Sequence, residues 1–534
     1  MLKNRYVLKL NRKQSEWLFY VSLLMLSIMV FLLVGEPGYV LYDDSKTYMN
    51  INNNMEGVMP IYPSFLYGNK LLFGEDVYLY AVVVEQAVLA AVCINIFIRF
   101  VKERFELKYW EAYICYALAL LPFTTDMPEV MTTHEILTEG VAYAVFYLFM
   151  AALLHAVWDK SWKWLGISCM VTLVLSLTRS QMQILFGVCG AVSVYIIMCR
   201  CGRGRRGLVV FSRLLCGVLV CAVIGLAGVW SVGKVSTAYQ NSKAQKRREQ
   251  QQLEQQTQVQ EESGETSKSA AKPVFTTSQY VSLIFSRGMY EADYEDYLLF
   301  EEGQLRDLYL VLYERSEKTQ CRYVYAEPGL WMWRDIVGGI GSVGSKCFHI
   351  QNNFYNENYP ELVYSSNYSA VRNSNQLKIG LTLLKEHFGR FLYHTLMLLP
   401  QAFICTVFFQ IERIYLLCHI VTLMLYLTAA ALMIWAYKDK KVGKEYGEFM
   451  CSVLGTNLIL IGVISLVFFG QQRYLVYNFG IFYISYFLLL LRLWKLYGCN
   501  LAAGLWKRFR KCGNGEYHEG RNRSKDTDHH SGVQ

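Results

Sequence analysis

The sequence predicts an all-α polytopic membrane protein of about ten transmembrane helices, eleven at most, with an outer-face region of loops and short helices. Two observations carry this. Of 534 residues, 54% are hydrophobic and only 18% charged, against about one quarter charged in soluble domains. The apolar residues also gather in runs at 17–34, 77–98, 136–157, 208–232, 413–437, 450–469 and 474–491. Each is close to the ~20 residues that cross the hydrocarbon core. Shorter runs lie at 109–122, 163–178, 182–198 and 391–409.

Orientation follows from the connections, because Lys and Arg stay on the cytoplasmic side. The segment before the first run carries Lys3, Arg5, Lys9, Arg12 and Lys13. Later basic connections carry Arg99, Lys102, Arg104 and Lys108, then Arg200, Arg203, Arg205 and Arg206, then Lys438, Lys440, Lys441 and Lys444. These read as inside. Segment 35–76 is acidic, with only Lys46 and Lys70 opposed, and 123–135 holds Asp126, Glu129 and Glu135 without Lys or Arg. Both read as outside. The alternation closes, with both termini cytoplasmic, if 391–409 lies along the outer face instead of crossing. The net charge of +9 then sets orientation and touches anionic lipid, and nucleic acid is not implied.

This divides the chain into an N-terminal transmembrane module (1–232), an extracytoplasmic region (233–387), an interfacial helix with a C-terminal transmembrane module (388–495), and a basic cytoplasmic tail (496–534). The first run is too long for a signal-peptide core, and Gly35-Glu36-Pro37 offers no cleavage pattern, so it is expected to stay as an anchor. Within 233–387, the Gln-, Glu-, Lys- and Ser-rich stretch 240–272 cannot bury enough surface to order itself and reads as a disordered insertion. Cys321 and Cys347 are the cysteines of this outer region and form a disulfide candidate. No Cys/His cluster has metal spacing, so structural zinc is not expected.

Elements that carry chemistry appear in order. The first outer loop, 35–76, places adjacent Asp43 and Asp44 among Tyr39, Tyr42 and Tyr48, directly after the first span; Tyr48 to Asn69 reads as a short amphipathic helix on the surface. The second outer loop brings His134, Glu135 and Glu139 to the entry of the fourth span. A spacing of four puts the two glutamates on one helical face. Glu135 can serve as a helix N-terminal carboxylate, whereas Glu139 enters the apolar zone, where an ionisable group needs a partner or a task. A tight turn at Thr178-Arg-Ser-Gln181 exposes the lone Arg179, and Gln471-Gln-Arg-Tyr474 carries Arg473 on the same side. Either arginine alone can snorkel to headgroups; two facing acidic loops suggest anion binding. Glu85, within the second span, is explained as well by pairing with another span.

Outward carboxylates on a membrane enzyme suit a lipid-linked substrate. Arg179 and Arg473 would bind phosphate bidentately, and Asp44 or Asp43 would deprotonate an attacking hydroxyl. The pair could also share a proton or hold a divalent cation, Mg or Mn.

The ordered set of Asp-Asp in the first loop, His134-Glu135 with Leu137-Thr-Glu139, Thr178-Arg-Ser-Gln181 and Gln472-Arg-Tyr474 resembles the GT-C membrane glycosyltransferases. It looks most like the bacterial branch related to protein O-mannosyltransferases and aminoarabinose transferases. The likeness covers roughly 17–200 and, more loosely, 380–495. It implies inverting transfer of a sugar from a polyprenyl-phosphate donor to a glycan, lipid or protein acceptor at the outer face of the cell membrane. By position the first-loop acid falls on Asp44 or Asp43, its partner on His134, Glu135 or Glu139, and the phosphate-binding arginine on Arg179 or Arg473. Tyr48, Gln181 and Tyr474 fall in the substrate pocket. Metal dependence differs among members.

Two other classes stand beside this. A transporter or flippase of lipid-linked saccharides calls for broken helices repeated in two halves, and no repeated Gly/Pro interruption is present among only nine prolines. A polymerase or ligase of such saccharides would place key Arg and His residues in a late outer loop, where His349, His387 and His394 show no constellation in the sequence.

Overall fold

The computed structural model describes residues 11–33, 38–49, 59–124, 133–200, 212, 215–235, 238, 279–329, 332–363, 368–408, 411–467 and 472–498. The insertion 240–272 and the tail beyond 498 lie outside the described residues. Among the described residues the chain is helical, with one isolated bridge and no strand. That is the expected outcome for apolar runs in lipid, where each backbone polar group must be satisfied within its own segment.

Eight helices are long and apolar enough to cross a membrane. They are α1 (Arg12–Leu33), α4 (Tyr78–Arg104), α6 (Thr138–Asp159), α8 (Leu185–Arg200), α9 (Leu215–Val235), α16 (Tyr415–Lys438), α17 (Lys444–Val467) and α19 (Phe479–Leu493). The runs 109–122 and 163–178 form shorter helices, α5 (Tyr109–Thr124) and α7 (Trp162–Thr178), packed on α19 and α6. Burial ranks the helices: 78% of the apolar window of α6 is inside the molecule, against 17% for α9 and α16. Thus α6 is the central post, and the others present Leu, Val and Ile faces outward.

One apolar core joins residues from α1, α4–α8, α15 (Phe388–Val407), α16, α17 and α19, so the N- and C-terminal transmembrane segments pack as one bundle. At one end of it the basic connections gather, with Lys495 on the buried Glu111 (2.6 Å) and Arg104 between Asp159 and Glu445 (3.7 Å each).

The long connection folds into α10 (Gln279–Tyr290), α11 (Gln304–Glu317), α12 (Met332–Asn358), α13 (Pro360–Val363) and α14 (Tyr368–Glu386) around a separate core that includes Phe285, Leu308, Tyr355 and Leu383. Gly288 and Gly380 let α10 and α14 cross in close contact: a Cβ on Gly288 would lie 2.7 Å from the Gly380 carbonyl oxygen. Cys347 is fully buried there, and Cys321 receives Lys346 Nζ at 3.4 Å; both are free thiols and no disulfide joins them.

The segment expected to lie flat, 391–409, forms α15 (Phe388–Val407). Its first half exposes Phe388, Leu392 and Leu396, but Ala402, Cys405 and Val407 enter the bundle core. α15 is therefore exposed at its start and packed into the bundle at its end. In the first loop, where one helix from Tyr48 to Asn69 is expected, the described residues form two, α2 (Asp43–Met49) and α3 (Ile61–Phe73), and Met59 and Pro60 just before α3 are not helical; α3 buries Tyr62 and Leu66 and exposes Leu71, Leu72 and Phe73.

Candidate functional site

The first two loops meet at the end of the bundle opposite the basic connections. Val40 donates its N–H to the His134 carbonyl (2.9 Å) and accepts from Ile136 N–H (3.1 Å), a two-bond parallel bridge. Tyr42 then reaches Glu135, its hydroxyl donating to Oε1 at 3.1 Å. A side chain within α4 anchors this junction from below. Gln86, fully buried, donates Nε2 to the carbonyls of Thr133 (2.8 Å) and Glu135 (3.0 Å), and accepts from the Tyr62 hydroxyl (3.0 Å).

Glu139 stands in the first turn of α6, whose N-cap is Leu137 and carries no side-chain cap. Glu135 is therefore not the capping carboxylate. Glu139 is 2% exposed and forms an ion pair with Arg179 Nη1, while Arg473 Nε lies 3.7 Å from its Oε1. Thr138 completes the carboxylate: its hydroxyl donates to Glu139 Oε2 (2.9 Å) and accepts from Arg179 Nη1 (3.4 Å). Arg179 can point there because it leaves the helical conformation, with φ −149° and ψ 121°, ending α7 and opening the short turn Ser180–Ile184.

Arg473 lies in α18 (Gln472–Leu475) and donates Nη2 to Asp44 Oδ2 at 3.0 Å. Asp44 is half exposed, 47% at its side chain. The Tyr474 ring lies against both guanidiniums, 5.0 Å from Arg179 and 5.1 Å from Arg473. Tyr48 abuts Tyr62 (5.5 Å between ring centres), and burial and the nearby Glu139 raise its hydroxyl to about 12. Gln181 donates to the Tyr477 hydroxyl at 3.4 Å. The Asp43 side chain lies outside the described residues.

Four distant segments therefore meet: Asp44, Glu139, Arg179 and Arg473 form two buried or half-buried acid–guanidinium pairs joined through Glu139. His134 belongs to the same junction through its backbone, but its buried Nδ1 has no hydrogen-bond partner, and burial lowers its pKa. Glu135 is pushed up to about 7, chiefly by burial, with Tyr42 and Arg473 opposing and Glu139 adding. A carboxyl so placed can exchange a proton near neutrality. Among the described residues no group of three His, Cys, Asp or Glu side chains could hold a metal ion; Asp44 faces Arg473, which does not fit a cation site.

Thr138, Tyr42, Gln86 and Tyr62 were not singled out as site residues from the sequence. Gln86 left a signal, a polar residue in an apolar run, one position after Glu85. Glu85 itself accepts from Asn69 Nδ2 at 2.8 Å; its partner lies on α3, a short first-loop helix, and not on another span as expected. Two of the three late histidines find carboxylate partners: His394 Nδ1 lies 2.9 Å from both Glu291 oxygens, and His387 Nε2 is 2.7 Å from Asp296 Oδ2. Their partners sit some 90–100 positions away (91 and 103), which hid the grouping from spacing. No family model matches the chain, and no curated protein or solved structure matches it either.

Proposed function

We propose that the protein is a membrane glycosyltransferase of the GT-C type that moves a sugar from a polyprenyl-phosphate donor to an acceptor at the outer face of the membrane. The observation that carries this reading is the buried Glu139, which draws Arg179 and Arg473 to one locus while Arg473 holds Asp44 at its margin. Two fixed guanidiniums suit a phosphate leaving group, because they remain charged and offer paired donors.

In the proposed reaction Asp44 takes the proton of an acceptor hydroxyl. The oxygen forms a bond to the anomeric carbon from the face opposite the phosphate, and the carbon–oxygen bond to phosphate breaks. The electron pair leaves with the polyprenyl phosphate, whose charge Arg179 and Arg473 stabilise, and the configuration inverts. Glu139 acts as a positioning residue, since both of its oxygens are engaged by Arg179 and Thr138. Transfer of radiolabelled sugar from a polyprenyl-phosphate donor into membranes, wild type against Asp44→Asn, tests the reading. Equal transfer by the two proteins at equal abundance rejects it.

A further inference from the structure

A second cluster lies where α10 meets α15, within the helical region between α9 and α16. Glu291 is fully buried, and both its oxygens are taken by His394 Nδ1 at 2.9 Å. Arg390 forks onto Asp293, with Nη2 to Oδ2 at 2.9 Å and Nη1 to Oδ1 at 3.4 Å. Among the described residues of this cluster, Arg287 is engaged only in part, although Glu291 is within electrostatic reach. Arg287 is 1% exposed and lies 4.9 Å from the Phe391 ring, and it donates only Nη2, to the Thr395 hydroxyl at 2.9 Å. Its Nε and Nη1 are buried without partners, and so is the hydroxyl of Tyr290 in the next turn.

A desolvated guanidinium with unmade hydrogen bonds is costly, and an arrangement of this kind is stabilised when an anion completes it. Burial brings the Arg287 pKa down to about 10, with the nearby Glu291 and Tyr290 opposing it. The unpartnered groups are guanidinium donors and a phenol, which suit a ligand that accepts hydrogen bonds and carries negative charge. Its source is indicated by α15, whose flanking face exposes the apolar Phe388, Leu392 and Leu396.

We propose that Arg287 and Tyr290 form a binding site for a phosphate group, distinct from the Glu139 locus and independent of the glycosyl-transfer reading. Lipid headgroups and free phosphate share this chemistry, and one experiment separates them. The full-length protein is placed in phosphatidylcholine nanodiscs, with inorganic phosphate titrated in one arm and phosphatidylglycerol added to the discs in the other, and the unfolding midpoint is followed. A saturable rise in either arm is expected. A rise with phosphatidylglycerol alone identifies a lipid headgroup, and a rise with inorganic phosphate identifies an open site.

Arg287→Gln should weaken that response at least about tenfold, as loss of a charged hydrogen bond does. A flat wild-type response in both arms, or an undiminished one in Arg287→Gln, overturns the proposal. Should that variant fail to fold, Tyr290→Phe removes a single hydroxyl and should weaken binding about three- to tenfold; unchanged binding there overturns it equally.

Discussion

Arg473 donates to Asp44 at 3.0 Å although 429 positions separate them in the chain. The contact closes the bundle, since the first loop and the last transmembrane helix are its two ends in sequence. Asp44 is nevertheless half exposed, and exposed pairs contribute at most about 1 kcal/mol. Asp44→Asn should leave membrane abundance and thermal midpoint close to wild type. Under the proposed function it should lower sugar transfer by about 100-fold or more, the usual worth of a general base. Transfer assays normalised to protein in the membrane check both halves.

Glu139 should behave in the opposite way. It is buried, and removing its charge leaves Arg179 without its ion-pair partner. Breaking a buried pair from one side costs roughly 3–5 kcal/mol, so Glu139→Gln should unfold at a markedly lower temperature. Arg179→Gln should do likewise. The double variant should recover part of the loss, because neither charge is then stranded. A double-mutant cycle measures this; strictly additive losses would show that the two side chains do not depend on each other.

Much of this arrangement was legible in the sequence. Isolated charges at the ends of apolar runs have few places to go, so Asp44, Glu139, Arg179 and Arg473 could be grouped from hydropathy and loop charge alone. What the spacing does not carry is who holds whom. That Glu139 takes Arg179, while Asp44 takes Arg473, depends on Arg179 leaving the helix and on the close approach of the two loops. Likewise α15 changes from surface to core midway, and its hydropathy shows an apolar run without saying which half is covered.

Glu135 sets a pH dependence whose sign can be worked out. Its folded pKa, about 7, lies above the ordinary value of 4.5. Below about 4.5 the carboxyl is neutral in both states, and its burial costs nothing extra. As pH rises through about 7 the folded protein must ionise a buried group, and the favourable term is lost, roughly 3 kcal/mol in all. Stability should therefore fall across this window, and Glu135→Gln should flatten that part of the profile. Thermal unfolding of the two proteins between these limits checks it; parallel profiles would mean that Glu135 is ionised throughout.

The last prediction concerns the joint beneath the site. Gln86 satisfies the carbonyls of Thr133 and Glu135, and through Tyr62 it ties the second loop to α3. Gln86→Leu keeps the approximate volume but strands two buried acceptors, at about 1–3 kcal/mol each. The loop should loosen, so that residues 133–137 exchange amide hydrogens faster and Tyr42 loses its fixed partner. A second substitution reaches the same joint from the other side. A Cβ on Gly140 would lie 2.7 Å from Gln86 Oε1, too close for contact, so Gly140→Ala should push the amide away without altering its chemistry. The two variants should share one exchange signature, accelerated at 133–137 and unchanged in the α10–α14 core. If Gly140→Ala accelerates exchange there and Gln86→Leu does not, the loop is held by packing against α6 and not by the amide.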